Sequence, residues 1–355
     1  MTDQLLRFGW DDRWSARFDE ARSTPGVAAA DEVHPGRVVR HDGAGMIVVT
    51  AEGPVRSMFG PAVDPAPVVG DWIVLDRHRT PLATLPRDSL LRRRAAGKEE
   101  REQAMAANVD LVLVVCGLDR PVRTGRIQRT ITIALDAGAE SLVVLTKADK
   151  VGPEVAVEAE LVAHEVDPDL EVVTLSARGG WGVDDLRERI GERTVALIGE
   201  SGAGKSTLVN ALLEGEVALE GEVREGDAKG RHTTTHRELH LLPGGGVLVD
   251  TPGIREVGIW TDTDAVADAF ADIDELAERC RFRDCTHGAE PGCAVLAAVE
   301  AGELAPERLD AWRALDAEAA AAELRADVVE RRRRARQFGR MAREAQKAKE
   351  DLRDR

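Results

Sequence analysis

The segment TVALIGESGAGKST, residues 194–207, decides how the rest of this 355-residue chain is read. Val195 to Ile198 form a short apolar run closed by a glycine, which predicts a buried strand. Leu208, Val209, Ala211, Leu212 and Leu213 then recur at helical spacing. Between the two lies Gly199-x-x-x-x-Gly204-Lys205-Ser206. Glycines at this spacing let successive backbone N–H groups turn inward around phosphate oxygens, and the following helix adds its N-terminal dipole. Lys205 would reach the β/γ-phosphates and Ser206 would ligate Mg²⁺. The phosphate loop thus takes in Gly199, Glu200, Ser201, Gly202, Ala203, Gly204, Lys205, Ser206 and Thr207. A ligand-free strand-to-helix turn is the plainer reading; the complete spacing in that context favours a nucleoside triphosphate.

Upstream, Val109–Val115, Ser141–Leu145 and Leu170–Leu175 are continuous apolar runs, with a helical pattern at Ile127–Ala134. Such alternation predicts a parallel sheet covered on both faces, with ligands gathering at the carboxyl ends of its strands. Thr146, Lys147, Ala148 and Asp149 close the second run, and Ser176 and Ala177 follow the third. A carboxylate at Asp149 can accept from the ring N–H and exocyclic amine of guanine, an edge that adenine lacks. Lys147 can lay its stem along the base, and the backbone near Ala177 can meet the guanine carbonyl.

Downstream, the glycine-containing stretch 215–230 leads into Gly230-Arg-His232-Thr-Thr234-Thr235, which has the composition of a mobile loop. Thr234, or Thr235 beside it, suits a Mg²⁺ ligand in a nucleotide switch loop. The strand predicted at Gly246–Val249 runs into Asp250-Thr-Pro-Gly253, where Asp250 would hold Mg²⁺ through water and the Gly253 N–H would sense the γ-phosphate.

The N-terminal third has a different texture. Residues 1–30 carry Leu5, Leu6, Phe8, Trp10, Trp14 and Phe18 at loose helical spacing, as in a docking extension. Short β-rich pieces follow at 36–40, 46–50, 55–58 and 71–76, separated by Gly and Pro. A small barrel of the oligonucleotide-binding type fits them, and an SH3-like barrel fits almost as well. Arg87, Arg92, Arg93, Arg94 and Lys98, opposed locally only by Asp88, read as a phosphate-contacting edge or as a solvated charge run.

The chain carries a net charge of −16 and is 43% hydrophobic, which predicts a globular protein rather than a general nucleic-acid binder. No apolar run is long enough to span a bilayer, so a cytoplasmic protein without a membrane partner is expected. Charge is unevenly placed: residues 331–355 hold eleven bases against four acids, net +7, which suits nucleic-acid phosphates, with a solvated helix as the plainer reading. Among the four cysteines, Cys116 reads as a small buried hydrophobe. Cys280, Cys285, His287 and Cys293 lie within fourteen residues, with glycines and a proline between them. Three thiolates and an imidazole are the ligand set of a structural Zn²⁺, although the spacings depart from paired Cys-x-x-Cys knuckles and a disulfide pair is the alternative.

Taken together, the boxes of a Ras-like GTPase are all present but permuted: TKAD and SAR precede GESGAGKST, GRHTTT and DTPG. With a barrel before them and a Cys/His cluster after, the chain resembles the ribosome small-subunit-dependent GTPase A family of bacteria over roughly residues 31–300. That resemblance implies a multidomain α/β protein with four parts. These are an N-terminal extension (1–30), an oligonucleotide-binding β-barrel (31–98), a circularly permuted Ras-like P-loop GTPase domain (99–262), and a C-terminal helical zinc-binding domain with a basic tail (263–355). It implies GTP hydrolysis stimulated by the small ribosomal subunit during its late maturation, rRNA as partner, one zinc per chain, Mg²⁺ with GTP, and a monomer. Thr146 departs from the asparagine many GTPases have there. Ile254 stands where many place a water-orienting glutamine, which leaves His232 as the in-chain candidate to position water, beside Lys205 as charge stabiliser. The competing readings are a P-loop enzyme that uses ATP and an RNA-binding module whose nucleotide is only structural.

Overall fold

The computed structural model describes residues 3–41, 45–58, 63–94, 102–213, 238–250, 269–282 and 285–317, the side chains at 3, 93, 94 and 102 excepted. Three short helices, α1 (Asp3–Arg7), α2 (Asp12–Arg22) and α3 (Pro25–Ala28), precede the antiparallel strands β1 (Val33–His41), β2 (Gly45–Thr50), β3 (Gly53–Met58), β4 (Trp72–Asp76) and β5 (Pro81–Thr84). These strands lie in the order β3-β2-β1-β4-β5, so β1 is shared by both halves of a curled sheet. Among the described residues no ladder joins β3 to β5; Ser57 Oγ on β3 instead donates to the Arg79 carbonyl in the β4–β5 turn at 2.7 Å.

A separate hairpin, β6 (Leu90–Arg94) with β7 (Glu102–Ala107), leads into the α/β layer. That layer comprises β8 (Leu111–Gly117), α4 (Thr124–Asp136), β9 (Glu140–Thr146), α5 (Pro153–His164), β10 (Val172–Thr174), α6 (Val183–Ile190), β11 (Thr194–Gly199), α7 (Lys205–Leu212), β12 (Glu238–Leu241) and β13 (Val247–Asp250). The order is β10-β9-β8-β11-β13-β12, with all neighbours parallel except the antiparallel β12–β13 pair. Helices α4 and α5 cover one face through Ile127, Ile131, Ala159 and Ala163; α6 and α7 cover the other through Leu186, Ile190, Leu208 and Leu212. Burial on both faces is why these strands read as unbroken apolar runs. The C-terminal unit contains α8 (Ala271–Ala277), α9 (Ala294–Ala301) and a helix over 306–317, here α10, around Phe270, Ile273, Val295, Leu309 and Leu315.

Three features depart from the sequence reading. The first apolar run forms a strand at Leu111–Gly117 rather than 109–115. Asn108 takes a left-handed φ of 55°, and its buried amide spans Gly70 O (3.1 Å) and the Asp88 N–H (3.0 Å), so the chain turns there before pairing. The N-terminal extension is core rather than appendage: Trp10, Trp14 and Phe18 are buried, and Trp10 packs edge-on to Trp72 at 4.8 Å. Finally, Arg87 and Arg92 do not form a free basic edge. Arg87 makes a bidentate pair with buried Asp71 (2.8 and 2.7 Å), and Arg92 makes one with Asp136 (2.8 Å to each oxygen). Both acids are distant in sequence, so a local count of opposing charge misses them.

The barrel strands and the α/β layer form one continuous sheet, because Arg40 of β1 pairs with Glu238 of β12. One hydrophobic cluster runs from Phe8 and Trp72 through Val39 and Val49 to Val112, Ala196 and Val249. At its centre Arg37 is 2% exposed and donates to Phe8 O, to Gly70 O (3.3 Å), to Asn108 O (3.4 Å) and to Thr194 Oγ1 (2.9 Å). Burial pushes its guanidinium down to about 10, still cationic at neutral pH. A buried charge is tolerable only when its donors are used in this way.

Candidate guanine-nucleotide and metal sites

The topology brings the separated boxes to one edge. Thr146–Asp149 follows β9, Ser176 and Ala177 follow β10, the phosphate loop follows β11 and Asp250 ends β13. All lie at the carboxyl ends of parallel strands, where backbone groups are released from the ladder and point outward.

The phosphate loop passes from β11 into α7, and Gly204 sits at the helix cap with φ +96°. A Cβ at Gly204 would stand 3.0 Å from Thr146 Oγ1, so the position needs glycine both for its dihedral and for this approach. Lys205 is 6% exposed, and its ammonium donates to the carbonyls of Gly199 (2.5 Å) and Glu200. The loop therefore wraps its own cation and holds it rigidly in the loop's centre. Ser206 and Thr207 begin α7 directly behind it.

The guanine box is knitted to this loop. Thr146 is buried, and its hydroxyl donates to Ala203 O at 2.5 Å, so it makes the link expected of the residue that opens such a box. Lys147 adopts φ 65°, and its Nζ donates to Gly202 O and to Asp119 Oδ2 (2.6 Å). Asp149 lies in a 3₁₀ turn at Ala148–Lys150 and accepts from Ser176 Oγ at 2.6 Å, which joins the two base-recognition segments. That hydrogen bond holds the Asp149 carboxyl below the usual carboxylate range. The Ala148 N–H donates to Leu175 O at 3.2 Å. Thr146, Lys147, Asp149, Ala177, Arg178, Gly204 and Thr207 line a cavity of about 250 Å³.

A second cavity of about 240 Å³ lies on the outer side of the phosphate loop, between β8 and α4, lined by Cys116, Arg120, Arg126 and Glu200 among others. No carboxylate of a base-reading box faces it, and Arg126 and Glu200 are ion-paired across it. Asp149 lines the first cavity instead. Burial pushes the Cys116 thiol up to about 11, which agrees with a packing role.

The profile of the RsgA GTPase family matches residues 84–260. "Small ribosomal subunit biogenesis GTPase RsgA" of Streptomyces coelicolor is 44% identical over 321 residues, spanning 88% of this chain and 85% of that protein. The chain belongs to the RsgA GTPase family. Two solved structures agree in fold. The crystal structure of YjeQ from Thermotoga maritima superposes with a TM-score of 0.61 at 26% identity, covering 81% of this chain and 99% of that one. YloQ, described as a circularly permuted GTPase, gives 0.60 at 20% identity over 83% and 97%. The permuted order read from the boxes is thus the order of the family's fold.

The cysteine cluster of this family member converges as the sequence reading expects. Donor atoms of Cys280, Cys285, His287 and Cys293 all lie within 4.8 Å of one another. Cys280 Sγ is 3.6 Å from His287 Nδ1 and 3.8 Å from Cys293 Sγ, and His287 Nδ1 is 3.4 Å from Cys293 Sγ. None of the cysteines is disulfide-bonded. Cys293 caps α9, where its sulfur accepts from the Leu296 N–H, and the Ala294 N–H reaches Cys280 Sγ at 3.3 Å. Glu290 accepts from the Thr286 hydroxyl and from the N–H groups of Thr286, Gly288 and Ala289 and so shapes the loop that presents His287; the hydroxyl bond first, and the N–H bonds with it, hold its carboxyl down at about 2.

His232, Thr234, Gly253, Ile254 and the basic stretch 331–355 lie outside the described residues. Among the described residues no helix is long and apolar enough to cross a membrane. Sequence reasoning missed Arg120 and Arg126, which touch the phosphate loop at Ser201 and Glu200, and Asp119, which pairs with Lys147. Their placement at the carboxyl end of a parallel strand was the available signal.

Proposed function

We infer that the protein is a GTP hydrolase acting in biogenesis of the small ribosomal subunit. The observation that carries this is the junction of Thr146 and Lys147 with Ala203 and Gly202, which makes one pocket from a guanine box and a phosphate loop that are permuted in sequence. The relatives' names supply the ribosomal context. Asp149 favours guanine over adenine, which sets aside an ATP-using enzyme.

In this reading Lys205 and the loop N–H groups stabilise charge developing on the β/γ-phosphates. Ser206, Asp250 and Thr234 would hold Mg²⁺, which neutralises phosphate charge when bound. Gly253 would sense the γ-phosphate, and His232 would position the attacking water. The Cys₃His set suits zinc: tetrahedral Zn–S of about 2.3 Å and Zn–N of about 2.0–2.1 Å require edges of roughly 3.8 and 3.5 Å, close to the separations among Cys280, His287 and Cys293, with Cys285 within 4.8 Å of all three. Zinc there would fold the C-terminal unit. The curled β1–β5 sheet serves as an oligonucleotide-binding barrel, and the basic tail contacts rRNA in a monomeric, cytoplasmic protein. The division at 30, 98 and 262 is the functional one, with the barrel and GTPase parts fused structurally.

The test is GTP turnover with and without purified small ribosomal subunits, with ATP as competitor. Stimulated turnover that ATP does not inhibit is expected. Turnover unchanged by the subunit would leave a structural nucleotide, and inhibition by ATP would remove the guanine assignment. His232→Ala with undiminished stimulated turnover would exclude that histidine as the water-positioning group.

A further inference from the structure

Thr146, Lys147 and the phosphate loop are braced by a segment that belongs to none of the GTPase boxes. Residues 117–120 leave the end of β8 as Gly-Leu-Asp-Arg and pass beneath both the guanine box and the phosphate loop. The Leu118 N–H donates to Thr146 O at 3.0 Å, which fixes this segment against the box. Asp119 Oδ2 accepts from Lys147 Nζ at 2.6 Å, and Arg120 donates to Ser201 O at 3.3 Å while lying 3.5 Å from Asp119. At Gly117 an added Cβ would stand 2.9 Å from Asp119 Oδ1, 3.3 Å from Ala203 Cα and 3.4 Å from Lys147 Nζ, so a side chain there would press on the Asp119 carboxylate.

We propose that Asp119 is a positioning residue for guanine-nucleotide binding, acting through Lys147. The Lys147 ammonium has two acceptors in this structure, the Gly202 carbonyl and the Asp119 carboxylate. The carbonyl alone leaves a four-carbon stem free to rotate about it. The carboxylate supplies a second, charged anchor from a different strand, and two fixed points set the line along which the stem crosses the pocket. The lysine itself sits in left-handed backbone, so its stem is not aimed by a regular helix or strand. Thr146 is also shorter than the asparagine common at that position. Its hydroxyl is spent on Ala203 O and Cys116 O, which leaves Asp119 to hold the second residue of the box. Lys147 presents its apolar stem along a fixed line only while it is held this way.

This inference rests on the guanine-nucleotide reading of the pocket, and the experiment separates the two. GDP affinity is measured by titration for the wild type, Asp119→Ala, Asp119→Asn, Lys147→Ala and the Asp119→Ala/Lys147→Ala double variant, alongside each apo protein's melting temperature. Loss of one charge-assisted contact predicts about a tenfold rise in Kd for Asp119→Ala. Asp119→Asn, which keeps an acceptor, should rise only about threefold. In the Lys147→Ala background Asp119→Ala should add less than twofold, because the residue through which it acts is gone. Wild-type affinity in Asp119→Ala overturns the proposal. So does a tenfold loss that persists without Lys147, or one matched by a fall in apo melting temperature. Absence of GDP binding by the wild type overturns the pocket reading together with it.

Discussion

The GTPase layer meets its neighbours in two different ways. On the N-terminal side the junction is a shared sheet and a shared core, closed by Arg37 buried against four acceptors from the extension, the barrel and β11. On the C-terminal side the core is separate, and the contact is polar and partly exposed. Arg308, held within that unit by a bidentate pair with Asp272 (2.6 Å to each oxygen), donates across the junction to Gln128 Oε1 on α4 at 2.8 Å, and Gln128 returns a bond to Ala269 O at 3.1 Å. Fused cores move as one body, whereas a handful of charged hydrogen bonds can be exchanged for water at modest cost. The barrel and the phosphate loop are therefore built to stay in register, and the C-terminal unit is the part with freedom to be repositioned. That unit also follows directly from the segment after Asp250, which the permutation places between nucleotide and C-terminus.

The comparison can be broken most decisively at Arg37. Arg37→Met removes the charge and leaves the Phe8 and Asn108 carbonyls without their Arg37 donor, for a loss of about 3 kcal/mol. The melting temperature should fall by roughly 6–12 °C in a single transition, followed together by tryptophan fluorescence and GDP release. Separate transitions for the barrel tryptophans and the nucleotide site would show that the two are not one body.

Removing the metal is the next largest perturbation. Chelation, or Cys293→Ser, should unfold the C-terminal unit alone, read as loss of protease resistance after residue 269. GDP affinity should stay within about twofold, because none of that unit's described residues lines the cavity beside Asp149. A smaller change is expected at the polar junction. Arg308→Ala should cost about 1 kcal/mol, discounted for solvent exposure of the pair. It should raise the scattering radius without altering zinc content.

The smallest effect lies within the site, away from both junctions. The depressed Asp149 pKa means the folded, binding form stays ionised below the ordinary aspartate range. GDP affinity should therefore persist as pH falls through that range, and decline only below it. Ser176→Ala removes the hydrogen bond responsible and should move the acid limb of binding upward.

Much of the nucleotide site was legible because its parts are local. A phosphate loop needs a strand, glycines at set positions and a helix within fourteen consecutive residues, and each is visible in residues 194–207. The Cys/His cluster is likewise compact. What stayed hidden depends on pairs distant in sequence. Arg87 and Arg92 looked like a basic edge until Asp71 and Asp136 were found against them. Trp10 and Trp14 looked like a docking surface until Trp72 covered them. Lys147 looked like a lone stacking residue until Asp119 appeared beside it, 28 positions away.

From sequence alone come the strand-loop-helix units, the guanine-before-phosphate order, the base preference and the metal-ligand set, since each follows from residue type at short spacing. Tertiary structure decided which charges are free and which are spent, and where the chain divides mechanically. Those outcomes depend on burial, and burial is set by neighbours from remote parts of the chain: Arg37 is a surface-type residue by composition, and becomes a structural cation only because Phe8, Gly70, Asn108 and Thr194 close around it.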